Sequence, residues 1–192
     1  MREMSFIQND HELKGKWKFW LATFGLMTIL VDIIYIQRAE LQNNQFARTE
    51  ILYNQDQPAD LRLINAIQRA RKYVYFVIYT ATKENIIDAL IAAKLRGLDV
   101  RGVMDYSQSI ISQEKPLIAK MRKYDIPLEI PFKKDGITHM KMLVTDNSYA
   151  VGSYNWTVSA TSYNDEVLEI GTVESFRLRY LQIFYEVWRR YQ

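Results

Sequence analysis

His139 and Lys141 stand two residues apart in the run His139-Met140-Lys141-Met142-Leu143-Val144. In an extended segment, side chains two apart share a face, so the imidazole and the ammonium project together while Met140 and Met142 turn the other way. Lysine offers a phosphate oxygen a compact point charge, and histidine attacks or carries protons near neutral pH. The pair reads as phosphoryl chemistry. The plainer reading, a satisfied strand histidine beside a solvated lysine, loses ground to the residues downstream of the pair: Asp146, the turn Gly152-Ser153-Tyr154-Asn155, and Glu166. As nucleophile, His139 would attack phosphorus and form a phosphohistidine, dividing one displacement into two.

His-x-Lys, four residues, Asp, and then Gly-Ser-x-Asn resembles the HKD motif of the phospholipase D superfamily. The matching positions are His139, Lys141, Asp146, Gly152, Ser153 and Asn155, with Glu166 where small members carry a downstream Glu. The chain departs from the pattern between Asp146 and Gly152, which flank five residues, Asn147 to Val151, where six are usual. We read this as a shortened turn at Asn147-Ser148. The resemblance extends from Thr49 to the C-terminus. It implies a catalytic set of His139, Lys141, Asp146 and Glu166, with Lys141, Ser153 and Asn155 holding the substrate phosphate. It also implies that Glu166 lies against the ring nitrogen of His139 that does not attack. For Asp146 a structural role has equal standing, since Asp-Asn-Ser is ordinary turn chemistry.

The displacement needs a nucleophile and an acid for the departing oxygen, and one histidine cannot be both while bonded to phosphorus. Only His11 and His139 are present in the chain. The expectation is therefore a homodimer, with two His139 side chains facing across a two-fold axis. Small single-motif members of the superfamily pair their motifs in this way. No cofactor and no metal are expected, because Lys141 and Asn155 would supply the charge stabilisation that a metal ion supplies elsewhere.

Composition narrows the field. The 192 residues, 48% hydrophobic, suit one domain plus an appendage and exclude a disordered chain. A formal charge of +3 gives no broad basic field, so a polyanion must be held locally. The absence of cysteine removes disulfides, thiolate nucleophiles and cysteine-based zinc sites together.

The elements that must position these residues follow from periodicity. Glu50–Tyr53 reads as a first strand, and Ala59–Lys72 as an amphipathic helix. Tyr73–Tyr79, a continuous aromatic and β-branched run, reads as a buried central strand. A helix over Glu84–Arg96, a strand over Leu98–Asp105, a helix over Pro116–Tyr124 and a short strand over Leu128–Ile130 come next. The motif strand, a hairpin strand through Ala150-Val151, a strand over Asp165–Gly171 and a helix over Ser175–Tyr191 complete the chain. The alternation predicts an α/β fold, a mixed β-sheet flanked by helices. It agrees with the α/β/α sandwich that the resemblance implies.

Ahead of this domain, Phe19–Ile36 is apolar apart from Asp32, with Lys14, Lys16 and Lys18 before it and Arg38 after. The reading is a cytoplasmic tail over 1–18, a single transmembrane helix over 19–36, a linker over 37–48 and a phospholipase D-like catalytic domain over 49–192. This predicts a bacterial inner-membrane protein with a periplasmic domain. A cleaved signal peptide and a buried helix are the alternatives. The layout resembles the small bacterial endonucleases of the superfamily, so the expected substrate is DNA or RNA, cut without sequence preference. The alternative is a membrane-anchored phospholipase or cardiolipin hydrolase acting on phospholipid.

Overall fold

The computed structural model describes residues 17, 20, 21, 23–38, 48–133 and 135–192. It falls into two units, Met1–Phe46 and Ala47–Gln192. In the first, residues 23–38 are helical, and Phe24, Met27, Leu30 and Ile34 are exposed. Among the described residues no helix is long and apolar enough to cross a membrane. The spanning helix expected over 19–36 is thus not found: Asp32 interrupts the apolar run, and residues 19 and 22 lie outside the described residues. The tail, apart from Trp17, and residues 39–47 of the linker also lie outside them.

The second unit runs β1 (Thr49–Tyr53), α1 (Ala59–Arg69), β2 (Tyr73–Ile78), α2 (Glu84–Leu95), β3 (Asp99–Met104), α3 (Tyr106–Ser109) and α4 (Lys115–Lys123). It continues with β4 (Leu128–Glu129), β5 (Lys141–Thr145), β6 (Tyr149–Gly152), α5 (Val158–Ser162), β7 (Val167–Gly171) and α6 (Glu174–Arg190). The strands form one sheet in the order β1-β7-β6-β5-β2-β3-β4. Strands β2, β3 and β4 are parallel, which requires the crossovers through α2 and α4. The remaining pairings are antiparallel, so the sheet is mixed, as predicted.

Strand β2 explains why its sequence shows no polar alternation. Val74, Phe76 and Ile78 pack with Leu63 and Ile67 of α1 and Ile87 and Leu90 of α2. Tyr75 and Val77 face the other way, joining Met142 and Val144 of β5 beneath Phe184 and Trp188 of α6. Both faces are buried, so both need apolar side chains. Burial of Phe184 and Trp188 contributes roughly 2 to 3 kcal/mol each, which fixes α6 across that face.

Candidate active site

The backbone N–H of Tyr79 donates to the carbonyl of Met140 at 2.9 Å, holding the segment ahead of β5 against the end of β2. His139 and Met140 precede the strand, and Lys141 is its first residue. The single continuous strand predicted from His139 onward therefore starts two residues late. The side chains still meet. Lys141 Nζ lies 3.1 Å from His139 Nε2 and donates to the His139 carbonyl at 2.9 Å. His139 is exposed, whereas Lys141 is only 7% exposed. Burial lowers the Lys141 pKa, with the charge of Glu166 acting in the opposite sense. An ammonium can only donate, so the tautomer that makes this bond accepts at Nε2 and carries its proton on Nδ1.

Three residues that sequence reasoning did not single out complete the frame. The Tyr79 ring packs on the His139 ring, centroids 4.7 Å apart, and lies 5.0 Å from Lys141 Nζ. Its hydroxyl accepts from Gln108 of α3 at 3.0 Å. Asp105 caps α3 by accepting from Ser107 N at 2.9 Å, and its other oxygen accepts from Thr138 N at 2.6 Å. It therefore fixes the residue next to His139. Glu114 is fully buried and accepts from Ala81 N, and its second oxygen has no partner among the described residues. Burial, and secondarily the charge of Asp105, pushes its pKa up to about 7. Position was the available signal, because Tyr79 and Asp105 directly follow the C-terminal ends of parallel strands, where open α/β sheets place ligands.

Ala81 forms a bridge with Trp156. Trp156 N donates to Thr80 O at 3.0 Å, and Trp156 O accepts from Thr82 N and Lys83 N, each at 2.9 Å. The neighbouring Asn155 is thus held at the same end of β2. Its Oδ1 is buried without a partner, and its side chain makes no hydrogen bond among the described residues. An uncommitted amide in this place suits a phosphoryl oxygen.

Glu166 and Ser153 form a second pair. The Ser153 hydroxyl donates to Glu166 and accepts from Val167 N at 3.1 Å. The other Glu166 oxygen accepts from Asn164 Nδ2 at 3.1 Å, and Glu166 N donates to Asn54 Oδ1 at 2.8 Å. Glu166 therefore faces Ser153 and Asn164, and among the described residues it makes no hydrogen bond to His139. Ser153 directs its proton at a carboxylate instead of leaving it for a phosphate.

Asp146 lies elsewhere, at the far end of β5. It accepts from Arg71 N at 2.9 Å and Lys72 N at 3.1 Å, joining the β5–β6 turn to the α1–β2 connection. Five residues of strand, roughly 15 Å, separate it from the His139 cluster. Its contacts here are those of a turn-bracing residue. Thr145 N donates to Ser148 O at 2.8 Å across this turn, and Val144 pairs with Tyr149. The five residues between Asp146 and Gly152 thus make up this turn and most of β6. Tyr154 and Trp156 are buried, while Tyr163 is exposed. Lys133 donates to Ile137 O at 3.3 Å, and Lys134 lies outside the described residues. Among the described residues no group of three or more His, Cys, Asp or Glu side chains is placed to hold a metal ion.

On the α3 side a cleft of about 610 Å³ is lined by Tyr106, Lys115 and Arg122, among others. Tyr106 stacks edge-on with Phe132 at 5.1 Å, and both rings are exposed.

Residues 63–188 match a family model described as cardiolipin synthase, PLD-like domain. A phospholipase D of Rickettsia prowazekii is 31% identical over 106 residues, 54% of this chain and 50% of that protein. A mitochondrial cardiolipin hydrolase of Xenopus tropicalis is 27% identical over 131 residues, 68% of this chain and 61% of that protein. The aligned stretch thus spans about half to three fifths of the length of these curated relatives. Among solved structures, Nuc from Salmonella typhimurium superposes with a TM-score of 0.71 at 24% identity, covering 76% of this chain and 97% of that one. NucT from Helicobacter pylori gives 0.65 at 24% identity, covering 73% and 94%. At these identities the superpositions speak for the fold.

Proposed function

The chain belongs to the phospholipase D superfamily of phosphodiesterases, and from that membership we propose that it is a metal-independent endonuclease hydrolysing DNA or RNA without sequence preference. The observation that carries the choice of substrate is the surface along α3 and α4, whose capping residue Asp105 also holds Thr138, the residue before His139. The cleft along α3 and α4 joins Lys115 and Arg122 to the exposed rings of Tyr106 and Phe132. Cations that follow a backbone, interleaved with rings on which bases stack, suit a nucleic acid better than an acyl chain.

The steps follow from the contacts. A phosphate entering beside Lys141 takes over the hydrogen bond now aimed at His139 Nε2, and that lone pair is released for attack on phosphorus. Lys141 and the free amide of Asn155 hold the oxygens on which charge grows. His139 of a second copy protonates the departing oxygen and then acts as base for water. Burial lowers the Lys141 pKa, and the charge of Glu166 works against that, favouring the ammonium form.

The relatives described as phospholipase D and cardiolipin hydrolase favour a second reading, cleavage of phospholipid. For location we propose the bacterial inner membrane, with the catalytic unit periplasmic and the exposed apolar N-terminal helix as the point of attachment.

The full chain, with His139→Asn as control, is incubated in EDTA with single-stranded DNA, duplex DNA, RNA and cardiolipin vesicles. His139-dependent cutting of nucleic acid is expected. Cleavage of lipid alone transfers the chain to the second reading, and dependence of cutting on added metal removes the Lys141–Asn155 account.

A further inference from the structure

The end of the sheet opposite His139 holds a cleft that the reaction does not use. It has a volume of about 420 Å³ and lies between α1 and the far ends of β1, β6 and β7. Arg48, Arg62 and Arg69 line it, with Asn65 and Asn147 between them. Glu50 is the one acid of this lining, and Arg62 is paired with it. The guanidinium groups of Arg48 and Arg69 have no hydrogen bond or ion pair among the described residues.

Their backbones, by contrast, are fixed. Arg48 N donates to Thr172 Oγ1 at 3.1 Å and Arg48 O accepts from Thr172 N at 2.9 Å. Arg69 O accepts from Asn147 Nδ2 at 2.8 Å, and Asn147 belongs to the turn that Asp146 clamps. Two cations uncommitted among the described residues are thus brought to one cleft by rigid anchors, and its one acid, Glu50, is already paired with Arg62. An anion bound between them would relieve their mutual repulsion.

We infer that this cleft is a second binding site, separate from the reaction site, for a phosphate group carried by a lipid headgroup or free in solution. Guanidinium forks match tetrahedral phosphate oxygens two at a time, and the neighbouring amides add donors of their own. The cleft is closed at one side by α1 and at another by the β5–β6 turn, so it suits a compact group better than a polymer track. It also sits where the chain joins the catalytic unit, at Arg48. Arginine is drawn to an anionic bilayer surface, so a lipid headgroup would find a ready counter-charge at this position. The inference does not depend on which phosphodiester His139 cleaves.

The test uses the full chain carrying His139→Ala and Lys141→Met, so that the reaction site no longer competes for phosphate. It is titrated calorimetrically with inorganic phosphate and with dihexanoyl phosphatidylglycerol kept below its micelle concentration. Saturable binding of at least one probe is expected, weakened roughly tenfold or more when Arg48→Gln and Arg69→Gln are added. Tighter binding of the lipid assigns the site to a headgroup, and tighter or equal binding of inorganic phosphate assigns it to the free ion. The two Gln substitutions, placed in an otherwise unaltered chain, are expected to leave phosphodiester cleavage within about twofold, which reports an intact fold. Absence of saturable binding, or binding unchanged by loss of both arginines, overturns the inference.

Discussion

Lys141 is held in reserve by the residue it serves. Its ammonium lies 3.1 Å from His139 Nε2 in the resting site, and in the proposed reaction nucleophile and phosphate clamp become available together when substrate arrives. Lys141→Met is expected to lower kcat by roughly a hundredfold to a thousandfold, the scale of losing one preorganised donor to developing charge, with a smaller change in KM. Single-turnover rates on the preferred phosphodiester would check this, and a change confined to KM would reduce Lys141 to a binding residue. Glu114 gives a pH prediction. Its carboxyl is raised from 4.5 to about 7 in the folded protein. The folded state therefore holds this proton more tightly, so the contribution to stability is complete below pH 4.5 and is lost as pH rises through 7. Glu114→Gln keeps an acceptor for Ala81 N but cannot ionise. It is expected to stabilise the protein at pH ~8 relative to wild type by an amount of order 3 kcal/mol at most, and to change little at pH 4.5. Denaturant titrations at the two pH values measure the difference, and an equal shift at both would place the ionisation elsewhere.

At the scale of elements, the β5–β6 hairpin and its neighbour β7 carry the site. A Cβ at Gly152 would lie 2.0 Å from the carbonyl oxygen of Val167, so only glycine lets β6 approach β7 just before Ser153 turns out toward Glu166. Gly152→Ala is expected to cost about 2 to 3 kcal/mol of stability and to disturb catalysis through Ser153 and Asn155, measurable as a lower melting temperature together with a reduced kcat. Asp146→Ala separates structure from chemistry. Loss of two backbone hydrogen bonds to a carboxylate should destabilise by roughly 2 kcal/mol while kcat stays within about twofold, and a loss as deep as that of His139→Ala would restore Asp146 to the chemistry. The mixed sheet and its flanking helices were legible because burial writes periodicity into the sequence: β2 reads as continuously apolar, and α1 keeps Leu63 and Ile67 on one stripe. The short helices α3 and α5 were not, since four or five residues hold too little of a period to register. With α3 went Asp105; α4 was predicted from Pro116 onward, but the buried Glu114 just ahead of it was not. The pairing of His139 with Lys141 was legible from spacing alone, whereas the bond between Ser153 and Glu166 depends on how β6 meets β7, which no local pattern records.

For the whole molecule, the proposed sharing of a site between two copies has a quantitative signature. When wild type is mixed and re-equilibrated with a ninefold excess of His139→Ala chains, activity per wild-type chain should fall about tenfold if each site needs both histidines. Mixed dimers that retain full activity would sink the shared site. The sheet also separates His139 from Arg48, where the chain joins the catalytic unit, by the length of its strands. The position of β1 has one more outcome. Among the described residues its one partner is β7, with Tyr53 opposite Val167 and Thr49 opposite Gly171, so the first described strand of the sheet waits for the last before it can join. A chain emerging residue by residue, into the cytosol or through a translocon, therefore cannot close this domain early, and it stays threadable until nearly all of it has passed.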